Sequence, residues 1–369
     1  MKNPLIELEK FGQSVWLDNI SRDMLIKGEL KMLVDNDGLK GVTSNPSIFQ
    51  KAMGSGHAYD DQIREILSAD SDITAGDLFE TLAVKDIQDA TDVLKVVYDK
   101  TNSHDGFVSI EVSPDLAYDT DATITEAARL NTKVNRPNVM IKIPAAQEGL
   151  PAIRRMISEG VCINVTLIFS PTVYEQVVDA YISGLEDRAN NGKSIKNISS
   201  VASFFISRID TAVDKELELK GNKDLQGKIA IANAKLVYQK AKELFGSERF
   251  KKLEKAGAKK QRLLWASTST KNPDYPDVLY VEELIGKDTV NTLPPATLSA
   301  YRDHGKPESR IETNLAEAKV QMKQIADLGI DFEVVTRKLT DDGVVLFADS
   351  FRDLIKAIEK KKSEILLAV

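Results

Sequence analysis

Short apolar runs recur along the chain, separated by longer amphipathic stretches. Eight of the runs read as strands: 14–18 (SVWLD), 41–45 (GVTSN), 106–113 (GFVSIEVS), 138–143 (NVMIKI), 161–169 (VCINVTLIF), 199–205 (SSVASFF), 262–267 (RLLWAS) and 288–293 (DTVNTL). Between them the apolar residues fall at helical spacing. Met24, Leu25, Leu30, Leu33 and Val34 give a broad apolar side over 22–35, and Ile87, Ala90, Val93, Leu94 and Val97 do so over 86–98. The same reading predicts helices at 122–132, 149–159, 171–183, 226–245 and 295–303, and a helical tail at 314–329 and 341–366.

Strand followed by helix, eight times over, is the pattern of an α/β protein of the (β/α)8 TIM-barrel type. An open doubly wound sheet is the alternative, but no G-x-G-x-x-G follows an early strand. The spacing is uneven, with extra helical material at about 50–100 and 208–260. No internal repeat, low-complexity tract or long Pro/Gly/Ser linker divides the chain. The expectation is therefore one barrel domain over 1–369, with those two insertions and C-terminal helices at about 314–369. The basic stretch 250–262 (FKKLEKAGAKKQR) reads as solvated surface.

The polar residues inside the strands carry the chemical information, because side chains alternate faces along a strand. Ile141 and Ile143 share one face and Lys142 takes the other. Ile163, Val165 and Leu167 oppose Asn164 and Thr166, while Val108, Ile110 and Val112 oppose Ser109, Glu111 and Ser113. Val15 and Leu17 oppose Trp16 and Asp18, and Ser203 alternates with Ala202 and Phe204. The apolar sets suit the helix-facing side of a barrel. Asp18, Asn45, Glu111, Lys142, Asn164, Thr166 and Ser203 would then ring one interior cavity, towards the C-terminal mouth where barrel active sites lie. A lone strand lysine is most simply half of an ion pair. Seven polar positions on compatible faces point to a site instead, because burying them is unfavourable unless they pair or react.

Composition narrows the chemistry. The 369 residues are 42% hydrophobic and 28% charged, and 49 basic against 56 acidic residues leave a net charge of −7. That argues against a nucleic-acid partner, though not against a local cationic pocket for an anion. The single Cys162 forms no intrachain disulfide, which fits a reducing compartment. His57, His104 and His304 lie in separate stretches without metal-ligand spacing, so no metal site is expected. Glu7 and Glu9 interrupt the region where a signal peptide needs an apolar core, and no uncharged apolar run reaches the roughly 18 residues of a membrane span. The expectation is a cytoplasmic protein without a membrane partner, a monomer or a homodimer. Two motifs are decoys. NGKS at 191–194 has Asp187 where a phosphate loop needs glycine, and the sequons at Asn164 and Asn197 lack a secretion signal.

An interior lysine suggests Schiff-base chemistry, since desolvation disfavours an ammonium and a neutral amine attacks a ketone. Such chemistry needs acid/base groups within reach, and Asp18 and Glu111 are the available carboxylates. It calls for no metal and no other cofactor. A pyridoxal-phosphate barrel would also use such a lysine, but no partner for the pyridine nitrogen is evident.

The same segments carry a family resemblance. VWLDNISR, GVTSNPSIF, FVSIEVSPDLAYD, VMIKIPA, CINVTLIFS and ASFFISRID resemble the successive strand-end motifs of the transaldolases, and the tail IADLGIDFEVVTRKLTDDGVVLFADSF is similar to that family's C-terminal region. Length and insertions resemble the longer bacterial subgroup. The resemblance implies a barrel of the class I aldolase type. It also implies transfer of a dihydroxyacetone unit from sedoheptulose 7-phosphate to glyceraldehyde 3-phosphate, giving erythrose 4-phosphate and fructose 6-phosphate. Lys142 matches the Schiff-base lysine, Asp18 the residue exchanging a proton with the C4 hydroxyl, and Glu111 with Thr166 the pair positioning a water. Asn45 and Asn164 match residues holding the dihydroxyacetone hydroxyls, and Ser203 lies in the corresponding wall. Arg208 matches a phosphate-binding arginine. After the seventh strand this chain departs from the family's A-S-F-R and reads ASTSTKN, so Ser269 stands where a second arginine is usual. Ser267 is retained, and Lys271 is the nearest replacement cation, with Arg302 a weaker option. Related fructose 6-phosphate aldolases are shorter and carry tyrosine where Phe205 falls. An aldolase of that kind and a catalytically silent sugar-phosphate binder are the alternatives.

Overall fold

Eight parallel strands close into a barrel in chain order, with β8 returning to pair with β1. They are β1 (Gln13–Asp18), β2 (Gly41–Thr43), β3 (Phe107–Glu111), β4 (Val139–Pro144), β5 (Ile163–Ile168), β6 (Ser200–Phe205), β7 (Arg262–Ala266) and β8 (Thr289–Leu293). The computed structural model describes residues 3–54 and 56–367. All eight expected strands are present. The second stops at Thr43 because Asn45 leaves the sheet to cap the next helix, accepting a 3.1 Å hydrogen bond from the Ile48 amide.

The helices are α1 (Pro4–Glu7), α2 (Arg22–Ile26), α3 (Glu29–Asp37), α4 (Pro46–Met53), α5 (Asp60–Ala69), α6 (Ala75–Lys100), α7 (Thr120–Val134) and α8 (Gly149–Glu159). There follow α9 (Pro171–Asn190), α10 (Ser207–Leu219), α11 (Ile229–Phe245), α12 (Glu248–Lys255), α13 (Leu279–Glu283), α14 (Pro295–His304), α15 (Leu315–Asp327) and α16 (Phe332–Leu367). The single helix expected over 22–35 is two, because Gly28 adopts φ +72° and turns the chain between them. The insertion at 50–100 is the end of α4 with α5 and α6; that at 208–260 is α10, α11 and α12.

Alternation divides the strands as their sequence implies. Ile141, Ile143, Val165, Ala202 and Phe204 face the helices and are inaccessible to solvent. Trp265 joins this outer layer, its ring edge-on to Phe204 at 6.2 Å between centroids. Trp16 faces inward and fills the barrel floor. Gly41 is required beside it, since a Cβ there would lie 2.3 Å from the indole. Below Trp16, Arg262 pairs with Asp105 at 2.9 Å and donates to Ser14 Oγ, while the Trp16 indole donates to Asp105. The basic stretch 250–262 is therefore not simply solvated surface. Phe250 and Leu253 are buried, and Arg262 closes the bottom of the barrel at 5% exposure.

The tail does not hang off the barrel. Its helix α16 packs against α4, α5, α6, α10 and the end of β5, so it lies over the C-terminal mouth. Among the described residues no helix is long and apolar enough to cross a membrane.

Candidate active site

Lys142 sits in β4 with Glu111 beside it in β3 and Asn164 beside it in β5. All three point inward, as Ile141 and Ile143 pack outward. Lys142 is 5% exposed; its Nζ donates a 3.0 Å hydrogen bond to the Ser44 carbonyl and lies 3.7 Å from Glu111 Oε2. Both carboxylate oxygens of Glu111 and the Thr166 hydroxyl are buried without a hydrogen-bond partner among the described residues. Unsatisfied buried oxygens are unfavourable, so this corner is built to receive a hydrogen-bonding molecule. Burial raises the Glu111 carboxyl above its ordinary value, against the opposing charge of Lys142.

Asp18 closes the opposite side. Its Oδ1 accepts a 2.7 Å hydrogen bond from Thr43 Oγ1, and Thr43 is in turn 2.7 Å from the Thr292 hydroxyl. Burial raises its carboxyl; Lys142, the Thr43 hydrogen bond and Arg208 act in the lowering direction. Asn164 is held at both ends, donating to Ser109 Oγ at 3.0 Å and accepting from Ser203 Oγ at 2.7 Å. Asn45 spends its carbonyl oxygen on the α4 cap and lines the cavity at the helix start.

A cavity of about 140 Å³ joins these groups, lined by Asp18, Thr43, Asn45, Lys142, Thr166 and Ser203, with Phe205, Pro294 and Phe347 as its apolar walls. Its outer rim is cationic and hydroxylic. Arg208 stacks over Phe205 at 5.2 Å and, among the described residues, its guanidinium has no hydrogen bond or ion pair. Burial lowers its proton affinity, while Asp18 and Glu111 raise it. Ser267 has φ +56° at the end of β7 and its hydroxyl lies 2.9 Å from that of Ser207. Lys271 donates to Ser269 Oγ at 2.8 Å; desolvation at the rim, then the charges of Arg208 and Lys51, hold its ammonium below the usual lysine value. Lys271 thus faces the same opening as Arg208, whereas Arg302 lies outside it, paired with Asp37 at 2.7 Å.

The family described as Transaldolase/Fructose-6-phosphate aldolase matches residues 15–358. The chain is a member of that family. It is 46% identical to the transaldolase of Trichodesmium erythraeum and 47% identical to transaldolase 2 of a Nostoc species, over 97% of this chain and 97% of each relative. The transaldolase of Thiobacillus denitrificans is 45% identical, over 95% of this chain and 98% of its own.

Within this member of the transaldolase family, the structure brings Lys142, Asp18, Thr166, Asn45, Ser203, Arg208, Ser267 and Lys271 to one cavity, with Glu111 and Asn164 directly behind its wall. His57 is exposed beside Asp60, and the His104 carbonyl accepts a hydrogen bond from Arg262 at the barrel floor. Sequence reasoning missed four groups. Thr43 was a visible polar residue in GVTSN, and Thr292 one in DTVNTL. The Ser44 carbonyl and Phe347 had no sequence signal, because a backbone acceptor and a distant helix reach the site only through the fold. Among the described residues, no group of three or more His, Cys, Asp or Glu side chains is placed to hold a metal ion.

Proposed function

We propose that Lys142 is the amine on which this chain performs transaldolase chemistry, carrying dihydroxyacetone from a phosphorylated ketose to a phosphorylated aldose. One observation carries the reading: a lysine amine inside a barrel mouth, beside the buried Glu111 carboxylate and the half-buried Asp18, within a chain of the transaldolase family. The Nζ attacks the ketose C2, and loss of water gives a protonated imine. The Asp18 carboxylate takes the C4 hydroxyl proton, the C3–C4 bond breaks, and its electron pair passes to the imine as an enamine. The aldehyde product leaves. The enamine carbon then attacks the acceptor aldehyde, whose new oxygen recovers the proton from Asp18, and water releases the product from Lys142.

Glu111 and Thr166 hold the water that moves protons during imine formation, a role that fits buried oxygens without a hydrogen-bond partner among the described residues. The Asn45 and Asn164 amides and Ser203 bound the three-carbon unit. Arg208 and Lys271, with Ser267, take the phosphate. The aldolase alternative is disfavoured by Phe205, which offers no hydroxyl to protonate the enamine. We read 1–369 as one barrel domain whose insertions lie on the helical layer.

The test is steady-state formation of erythrose 4-phosphate from sedoheptulose 7-phosphate and glyceraldehyde 3-phosphate. The unsubstituted chain transfers, and Lys142→Met and Lys142→Arg do not. Transfer persisting in either variant contradicts the reading.

A further inference from the structure

The helix α16 brings into the site a side chain that the chemistry above does not use. Its inward stripe runs Thr336, Thr340, Gly343, Phe347, Phe351, Leu354 and Ile358, spaced three or four residues apart as one helix face requires. Phe347 is 5% exposed. Its ring lies 6.0 Å from Lys142 Nζ and 5.9 Å from the Arg208 guanidinium carbon, so it spans the reactive amine and the rim cation. With Phe205, whose ring lies 5.2 Å from the same guanidinium carbon, it forms part of the apolar wall of the cavity.

The helix is let down to this depth at one point. Gly343, one turn before Phe347, faces Leu167, and a Cβ there would lie 2.8 Å from Leu167 Cδ2. Leu167 itself has φ +60°, a strained value for a branched side chain, and its carbonyl accepts from Thr340 Oγ1 at 3.5 Å. The helix is tied down beyond the site as well, where Lys361 pairs with Asp60 at 2.6 Å and Lys362 donates to the Ile73 carbonyl.

Between cleavage and transfer the enamine carbon is a nucleophile, and water that reached it would supply a proton. The resulting iminium would take up water at C2, freeing dihydroxyacetone and the Lys142 amine. We infer that Phe347, lowered onto the mouth by Gly343, excludes water from the bound enamine and so sets transfer against release of free dihydroxyacetone. The inference rests on the transaldolase reading and deepens it: the substrate class whose fate Phe347 decides is the lysine-bound three-carbon enamine awaiting an aldose.

The experiment supplies fructose 6-phosphate with erythrose 4-phosphate and counts free dihydroxyacetone per sedoheptulose 7-phosphate formed. A per-turnover ratio does not depend on the fraction of enzyme folded, so a merely structural role would not move it. In Phe347→Ala the ratio rises by roughly tenfold or more, as expected for loss of about one decade of discrimination between protonation and addition, and Phe347→Leu falls between it and the parent. Parental ratios in soluble variants overturn the inference. If the alanine variant does not fold, the leucine variant decides alone, a raised ratio supporting and a parental ratio overturning. An unsubstituted chain that forms no sedoheptulose 7-phosphate fails the underlying reading instead.

Discussion

Replacing Lys142 by methionine should leave a pH-dependent scar on stability as well as abolishing chemistry. Methionine nearly matches the lysine stem in volume, so the packing change is small. The electrostatic change is not. At 3.7 Å from Glu111, a unit charge contributes about 4 kcal/mol at an effective dielectric constant near 20, and Asp18 feels it as well. Burial already raises both carboxyls above their ordinary values, and the Lys142 charge is the strongest influence restraining that rise. A carboxyl whose folded proton affinity exceeds its unfolded one binds more protons in the native state, so stability falls as pH climbs from the unfolded value through the folded one. Losing Lys142 widens that window upward. Urea unfolding midpoints of parent and Lys142→Met should therefore lie close together at the acid edge of the range, near pH 4.5, and diverge as pH rises. At pH 8 the deficit should be a few kcal/mol, bounded by the roughly 3–5 kcal/mol for breaking a buried pair. A deficit that is constant across pH, or one that shrinks towards pH 8, would refute the assignment of the lysine as the counter-charge to Glu111 and Asp18.

Three other outcomes follow from contacts in and below the site. Thr43→Val removes the hydroxyl that donates to Asp18; the acid limb of kcat/KM for fructose 6-phosphate cleavage moves to higher pH and kcat falls roughly tenfold, the scale of one hydrogen bond to a charge. An unshifted limb removes Asp18 from the proton-transfer role. Arg208→Ala and Lys271→Ala raise KM for glyceraldehyde 3-phosphate by roughly tenfold each while leaving unphosphorylated glyceraldehyde unaffected; equal losses on both acceptors contradict the phosphate assignment. Asp105→Ala leaves Arg262 buried without its counter-charge and lowers stability by about 3–5 kcal/mol, with KM unchanged, because that network lies at the barrel floor. Burial pushes the Asp105 carboxyl up, but Arg262 and the Ser14 and Trp16 donors outweigh it and hold it low. The parent's advantage over Asp105→Ala is thus present above the ordinary carboxylate range and shrinks as pH falls through the folded value.

The barrel was legible because its strands alternate so regularly. A polar residue between two buried aliphatics, as at Lys142 or Asn164, has only one face to occupy, and the sheet's closure turns that face into a common interior. Local chemistry explains what the same reading got wrong. Asn45 looked like strand and is a helix cap; Gly28 broke a helix whose apolar pattern runs straight through it. Arg262 ended a lysine-rich run that reads as surface, and only the distant Asp105 makes its burial tolerable. Phe347 was invisible for a related reason. Its helix shows apolar periodicity, but nothing local states that the apolar face rests on the barrel mouth rather than on an outer flank. That depends on Gly343 meeting Leu167, a contact between segments 176 residues apart in sequence. Lys271 is intermediate: its position in ASTSTKN made it a candidate cation, and the rim geometry with Arg208 gives it a shared opening.

Borohydride reduction in the presence of fructose 6-phosphate, followed by peptide mass mapping, addresses the bond on which the account depends. The account predicts one added dihydroxyacetone-derived group per chain, located on Lys142 and absent from Lys142→Met. A chain that turns over substrate yet carries the adduct on another lysine, or on none, would contradict it.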